Sequence, residues 1–384
     1  MNARTKFICL ILAAICSSTL LAEEVDVAKL TKVIRDIGAK AAGFREAIPA
    51  VRTLSGADVS QLPDILTGMD DAGSLATNWL RAAAETIAQR ATDAGQDLPL
   101  KRLEQFLADT KHSPRGRRLA YELIRSVDAS AEKRLIPDLL NDPSLELRRD
   151  AVAMLAAQAD SAVGGDKMGA GSLYRKALTA ARDLDQINDI TKKLRDLGEK
   201  VDLPTHFGFV MKWNLIGPFD NRDKKGFDVA YGPEKSVDTS ISYQGVEGKV
   251  EWETSTTKDE YGIVDLNEVM GKHKGAITYA HATFVADETR PIELRLGCIN
   301  ANKLWLNGKL LTANEVYHAN TGIDQYTGKG QLKKGQNEIL LKICQNEQEE
   351  SWAQKWQFQL RVCDQYGTAV LSTNRPAAST VSVK

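Results

Sequence analysis

Histidine and cysteine are scarce in this chain, at five each among 384 residues. No His-x-x-x-His pair occurs among His112, His206, His273, His281 and His318, so no helical zinc site is expected. A Gly-x-Ser-x-Gly elbow is missing, which removes the commonest serine-hydrolase signature. Gly164–Ser172 is glycine-rich but lacks the Gly-Lys-Ser/Thr ending that would bring a lysine and a hydroxyl to phosphates; it reads as a loop between helices. Charge of one sign is missing too. Lys+Arg is 50 and Asp+Glu is 51, which excludes a polycation for nucleic acid. Beyond the first 22 residues no apolar run is long enough for a membrane helix. With 43% hydrophobic and 26% charged residues, the chain is nonetheless an ordinary globular one, long enough for two or three domains.

What is present begins with MNARTKFICLILAAICSSTLLA. Arg4 and Lys6 precede an apolar run from Phe7 to Ile15, and Ala22 ends a cleavage site with Leu20 three back from the cut. This three-part pattern predicts a secretory signal peptide over 1–22 and an exported protein, periplasmic or extracellular. Ile15 stands before Cys16 where lipidation wants a small residue.

The remainder has two compositions. Five of six Trp and seven of nine Tyr lie beyond Thr205, whereas 23–205 is rich in Ala, Leu, Arg and Asp. The first composition favours strands and the second helices. Pro204 marks the break. In 23–205, Val27, Leu30, Val33, Ile34 and Ile37 share one helical face. Helix starts are signalled near Ser60, Ser74, Pro99, Ser113-Pro114, Ser130, Ser144, Gly169 and Leu184, and a C-terminal cap at Gly198. They pair at a period of roughly 30 to 40 residues, the spacing of a helical solenoid. Arg117-Arg118-Leu119-Ala120 also aligns with Arg148-Arg149-Asp150-Ala151. The run Leu135-Ile136-Pro137-Asp138-Leu139-Leu140-Asn141-Asp142-Pro143-Ser144, with Leu147-Arg148-Arg149-Asp150-Ala151-Val152 after it, resembles a HEAT repeat. The hairpin at 168–198 is equally similar to a TPR unit. Such a resemblance implies a surface that docks a protein partner. The basic residues Lys111, Arg115, Arg117, Arg118, Arg148 and Arg149 are interleaved with acids and read as a salt-bridged face.

From 206 to 384 the pattern alternates. Phe209, Met211, Trp213 and Leu215 form one face of a strand, and Trp356, Phe358, Leu360 and Val362 one face of another, which puts Trp213 and Trp356 in the core. Further strands are expected over 248–255, 275–286, 291–299, 302–311 and 337–345. Asn307-Gly308 supplies a two-residue hairpin turn. Strands without intervening helices predict a β-sandwich. The hairpin LWLNGKLL, followed by Leu332-Lys333-Lys334-Gly335-Gln336-Asn337 and a core strand, resembles a galactose-binding-like jelly roll, the non-catalytic sandwich domain of family 2 glycosidases. Trp213–Asp220 resembles the opening strand of such modules. The resemblance spans roughly 275–370, and its motifs build turns and core. The expected fold is therefore multidomain α plus β, an N-terminal α-solenoid at 23–205 and an antiparallel jelly roll at 206–384 with a flexible tail from about 373.

Cys298, Cys344 and Cys363 sit in or beside core strands; Cys298 and Cys344 form a disulfide in an oxidising compartment, or all three are buried thiols. Glu347, Glu349 and Glu350 read as a solvated turn, not a glycosidase pair. Sugar sites use exposed aromatics with polar neighbours on rim loops. Trp352 lies in the polar stretch 345–355; Tyr317, His318, Asp324 and Tyr326 lie in the long loop before Leu332; Trp305 lies on a strand apolar on both faces. These six are the candidate ligand-binding residues. No catalytic residue, metal or cofactor is expected. The expected function is a non-catalytic binding protein, the sandwich holding a glycan or cell-surface polymer and the helices a protein. A purely structural scaffold is the alternative. An enzyme with a site near His206 and Asp220 is a third reading.

Overall fold

The computed structural model describes residues 25–38, 40, 42–320 and 322–375. The expected signal peptide and the last nine residues of the expected tail lie outside them. The described residues form thirteen α-helices and twelve strands, and every strand pair is antiparallel. Contacts gather the chain into two compact units, Met1–Leu147 and Arg148–Lys384, which divide inside the helix Leu145–Ala162.

The first unit is helical. Its longest complete helix, Ser74–Asp93, buries Ala76, Leu80, Ala83, Ala84, Ile87, Ala88 and Ala91, a stripe at spacings of three and four. Small alanines let neighbouring helices approach closely. Pro114 starts the helix Pro114–Val127 where its missing N–H costs nothing. Ser60 is not the cap expected near it: Asp58 accepts from the Ser60 N–H at 2.9 Å and caps the 3₁₀ turn Val59–Gln61. Between the helices, buried Arg117 donates through Nη1 and Nη2 to Asp142 at 2.7 and 2.6 Å, and through Nε to the Leu107 carbonyl at 2.7 Å. Asp142 Oδ1 also takes the Ser144 N–H at 2.8 Å, so one carboxylate shapes the Asp-Pro-Ser turn and locks it to Arg117.

The second unit holds the helices Lys167–Ala180 and Leu184–Asp196 together with all the strands. Asp166 caps the first helix through the Gly169 N–H at 2.8 Å, so the helix starts close to the expected Gly169 and takes in the end of the glycine-rich run expected as a loop. Gly198 has φ of 84°, the left-handed conformation that ends the second.

The strands are β1 Lys212–Asp220, β2 Tyr243–Gln244, β3 Lys249–Val250, β4 Glu253–Thr256, β5 Val264–Asp265, β6 Ala276–Ala286, β7 Arg290–Cys298, β8 Ala301–Leu306, β9 Lys309–Asn314, β10 Tyr326–Leu332, β11 Gly335–Gln345 and β12 Gln357–Cys363. A six-stranded sheet has the order β4-β1-β6-β11-β8-β9, a four-stranded sheet β10-β7-β12-β5, and β2 pairs β3. The β8–β9 turn is the expected one, with φ of 50° at Asn307 and 77° at Gly308. One core cluster draws on both large sheets, including Leu215, Ala280, Ile339, Leu341 and Leu304 from one and Leu294, Leu296, Phe358 and Leu360 from the other. Trp213 and Trp356 are buried in it, and Trp213 meets Phe358 edge-on at 5.1 Å.

Alternation sends the other residues of the six-stranded sheet to its outer face. There Ile277, Tyr279, Leu340 and Cys344 form a second cluster under a covering layer that includes Phe227, Tyr231 and Tyr243. Of the two expectations for the cysteines, this layout agrees with the buried thiols. Cys298 belongs to the inner cluster and Cys344 to the outer one, on opposite faces of the six-stranded sheet. Both are free buried thiols, as is Cys363. Burial pushes the Cys298 and Cys344 thiols up to about 12, so neither ionises at neutral pH.

Candidate ligand-binding rim

Three of the six candidate residues come together at one rim. The loops after β1, β9 and β11 meet there, and buried amides join them. Asn221 is fully buried and donates to the Tyr317 hydroxyl at 3.1 Å and to the Gln345 carbonyl at 3.0 Å. Burial pushes the Tyr317 hydroxyl up to about 12, against the Asn221 hydrogen bond. Next along the chain, His318 takes φ of 55° and turns its ring back to the loop after β11. Its Nε2 lies 2.8 Å from Asn346 Oδ1, and its ring meets Trp352 edge-on, with centroids 5.0 Å apart at 87°. The Lys274 ammonium donates to the Gln348 and Ala353 carbonyls at 2.6 and 3.0 Å, fixing both sides of the turn that carries Trp352. Trp352 is 60% exposed. An indole exposed in this way can offer a face to an apolar ring.

Glu347 accepts from the Asp223 N–H at 2.9 Å and so ties the β1 loop to the rim. Lys224 sits 5.2 Å from the Tyr317 ring centroid. Asn221, Lys224, Lys274 and Asn346 are rim residues that the sequence reading does not single out. Asn221 directly follows the Trp213–Asp220 motif, which is the available signal.

The other three candidates lie elsewhere. Trp305 projects from β8 into a groove on the outer face of the six-stranded sheet. Tyr326 packs partly buried against the inner core. Asp324 is committed to Arg361 and Arg295: it accepts from Arg361 Nε at 2.6 Å and from Arg361 Nη2, and lies 3.0 Å from Arg295 Nη1. A carboxylate saturated in this way has little left for a ligand.

His206 and Asp220 do not converge. His206 precedes β1 and Asp220 ends it, and a nine-residue strand rises roughly 25 Å or more. Asp220 is held by Arg222 at 2.6 Å. Burial, then the charges of Arg182 and Arg361, push His206 down to about 4 from 6.5. Between those two values the unfolded chain binds a proton that the folded chain refuses. Stability is therefore complete above about pH 6.5 and falls as pH drops to about 4, by on the order of 3 kcal/mol. Urea unfolding at pH 7 and pH 4.5 measures this contribution, which His206→Gln removes; an unchanged pH dependence in that variant would refute it.

No group of metal-binding residues occurs among the described residues, and no helix there is long and apolar enough to cross a membrane. No family model matches the chain, and neither does any curated protein. Solved structures give weak likenesses. An anti-sigma factor domain-containing protein from Clostridium clariflavum is 11% identical over 45% of this chain and 50% of its own, with a TM-score of 0.23. A β-glucosidase from Kluyveromyces marxianus is 10% identical over 73% of this chain and 35% of its own, at 0.26. A β-glucuronidase from an uncultured Clostridium species is 10% identical over 41% and 29%, at 0.21. The chain thus spans half or less of each of these proteins.

Proposed function

We propose that this chain is an exported, non-catalytic binding protein. We read the two large sheets as the faces of a jelly-roll sandwich whose rim takes a glycan or cell-surface polymer. The helices of 23–205 are read as a HEAT-like solenoid that docks a protein partner. One observation carries the reading: Trp352 is 60% exposed, yet meets edge-on the ring of His318, which is itself bonded to the buried Asn346 amide. The turn that carries Trp352 is tied to His318 and to Lys274 by hydrogen bonds. No cofactor enters the reading, and the weak likeness to glycosidases adds no catalytic claim.

The test is titration of the full chain against a panel of soluble polysaccharides, followed by tryptophan fluorescence and calorimetry. Saturable binding is expected, weakened about tenfold or more by Trp352→Ala, the scale of a lost stacking contact. Binding indifferent to Trp352 would refute the rim. Absence of binding across the panel, with a protein that co-purifies, would favour the second reading, a purely structural scaffold.

A further inference from the structure

A groove lies away from the rim, on the outer face of the six-stranded sheet. The covering layer of residues 222–252 leaves part of that face open as a groove of about 770 Å³. Its floor follows from strand register. Trp305 on β8 pairs with Leu340 on β11, and Leu340 pairs with His281 on β6. Neighbouring strands are about 4.8 Å apart, so this row runs about 10 Å across the sheet, on the scale of a short oligosaccharide. Beside it, Glu338 and Asn307 line the same groove, and Gln336 stands at the lip.

The polar groups are set in place before any ligand arrives. His281 is 4% exposed, its Nε2 is held by Glu338, and its Nδ1 has no hydrogen-bond partner. Gln336 Nε2 fixes the other Glu338 oxygen at 2.8 Å, and Asn307 Nδ2 is fixed by Asn337 at 2.9 Å. The groove thus offers an indole face, amides and a carboxylate, the set that recognises a ring with apolar faces and hydroxyl edges. Its charge selects further. Glu234, Asp238 and Glu338 outnumber Lys235 in the lining, an acidic excess that disfavours sulfated or uronate chains.

We propose that this groove binds a neutral oligosaccharide segment, one sugar ring stacked on Trp305 and its hydroxyls paired with Glu338, Gln336 and Asn307. The site needs nothing from Trp352 and stands apart from the rim.

The probes are neutral gluco-, manno-, xylo- and galacto-oligosaccharides of about six units, with a uronate oligomer as comparison, titrated calorimetrically into the full chain. At least one neutral probe is expected to bind and to lose about tenfold in affinity in Trp305→Ala or in Gln336→Ala, the latter at an exposed position where folding is undisturbed. Binding unchanged by both groove variants overturns the proposal, as does no binding by any neutral probe. A loss confined to Trp352→Ala assigns the sugar to the rim and also overturns the groove. Tighter binding of the uronate oligomer, sensitive to Trp305, overturns the ligand class.

Discussion

Asp324→Ala is expected to lower the unfolding free energy of the full chain by about 3–5 kcal/mol, because it strands a buried guanidinium. Arg361 is 5% exposed and gives Nε and Nη2 to this carboxylate. Its remaining acceptors are the carbonyls of Gly367 and Phe207, at 3.2 and 3.5 Å, which carry no charge. Arg295 is better provided for, since Glu293 stays within 2.7 Å. The loss should therefore trace to Arg361, and Arg361→Met in the Asp324→Ala background should recover part of it. Burial alone would raise the Asp324 carboxyl, but Arg361 and then Arg295 outweigh it and hold it below the usual carboxylate range. Its contribution is thus complete above about pH 4 and fades as pH falls through the lowered value. Urea unfolding at neutral pH, read by tryptophan fluorescence, decides the matter; a change under about 1 kcal/mol would show that the pair only offsets its own desolvation.

The same residue shows where sequence reasoning stops. Asp324 is a sound candidate on sequence because it lies in a polar loop among tyrosines. Its partner Arg361 is 37 residues away on β12, a relation set by three-dimensional register that no local pattern encodes. Local chemistry is legible where it acts locally. The Asn307-Gly308 turn follows from the tolerance of those residues for positive φ, and the buried tryptophans follow from alternation at 213–215 and 356–362. Alternation also places Cys298 and Cys344 in strands. It cannot tell which sheet face each strand turns inward, and that single fact makes them free thiols instead of a disulfide. At the rim, Tyr317, His318 and Trp352 are visible as exposed-type aromatics in polar stretches. The amides that brace them are not, since Asn221 and Asn346 look like ordinary loop residues until burial shows them fully or almost fully enclosed.

Arg117→Ala is expected to destabilise the first unit by a similar amount, about 3–5 kcal/mol. Arg117 is 1% exposed and holds Asp142 through two parallel bonds, with a third to the Leu107 carbonyl. Truncation removes three hydrogen bonds from a dry interior and takes the Arg117 fork from the Asp142–Ser144 turn. Arg117→Lys should restore little, because an ammonium cannot reproduce the planar fork that meets the two carboxylate oxygens and the carbonyl at once. The readout that separates this from a general loss of packing is amide hydrogen exchange. Protection should fall first over 139–147 and the helix Pro114–Val127, with the alanine and lysine variants behaving alike. Equal protection in the lysine variant and the parent would mean that charge alone, and not the bidentate geometry, holds this turn.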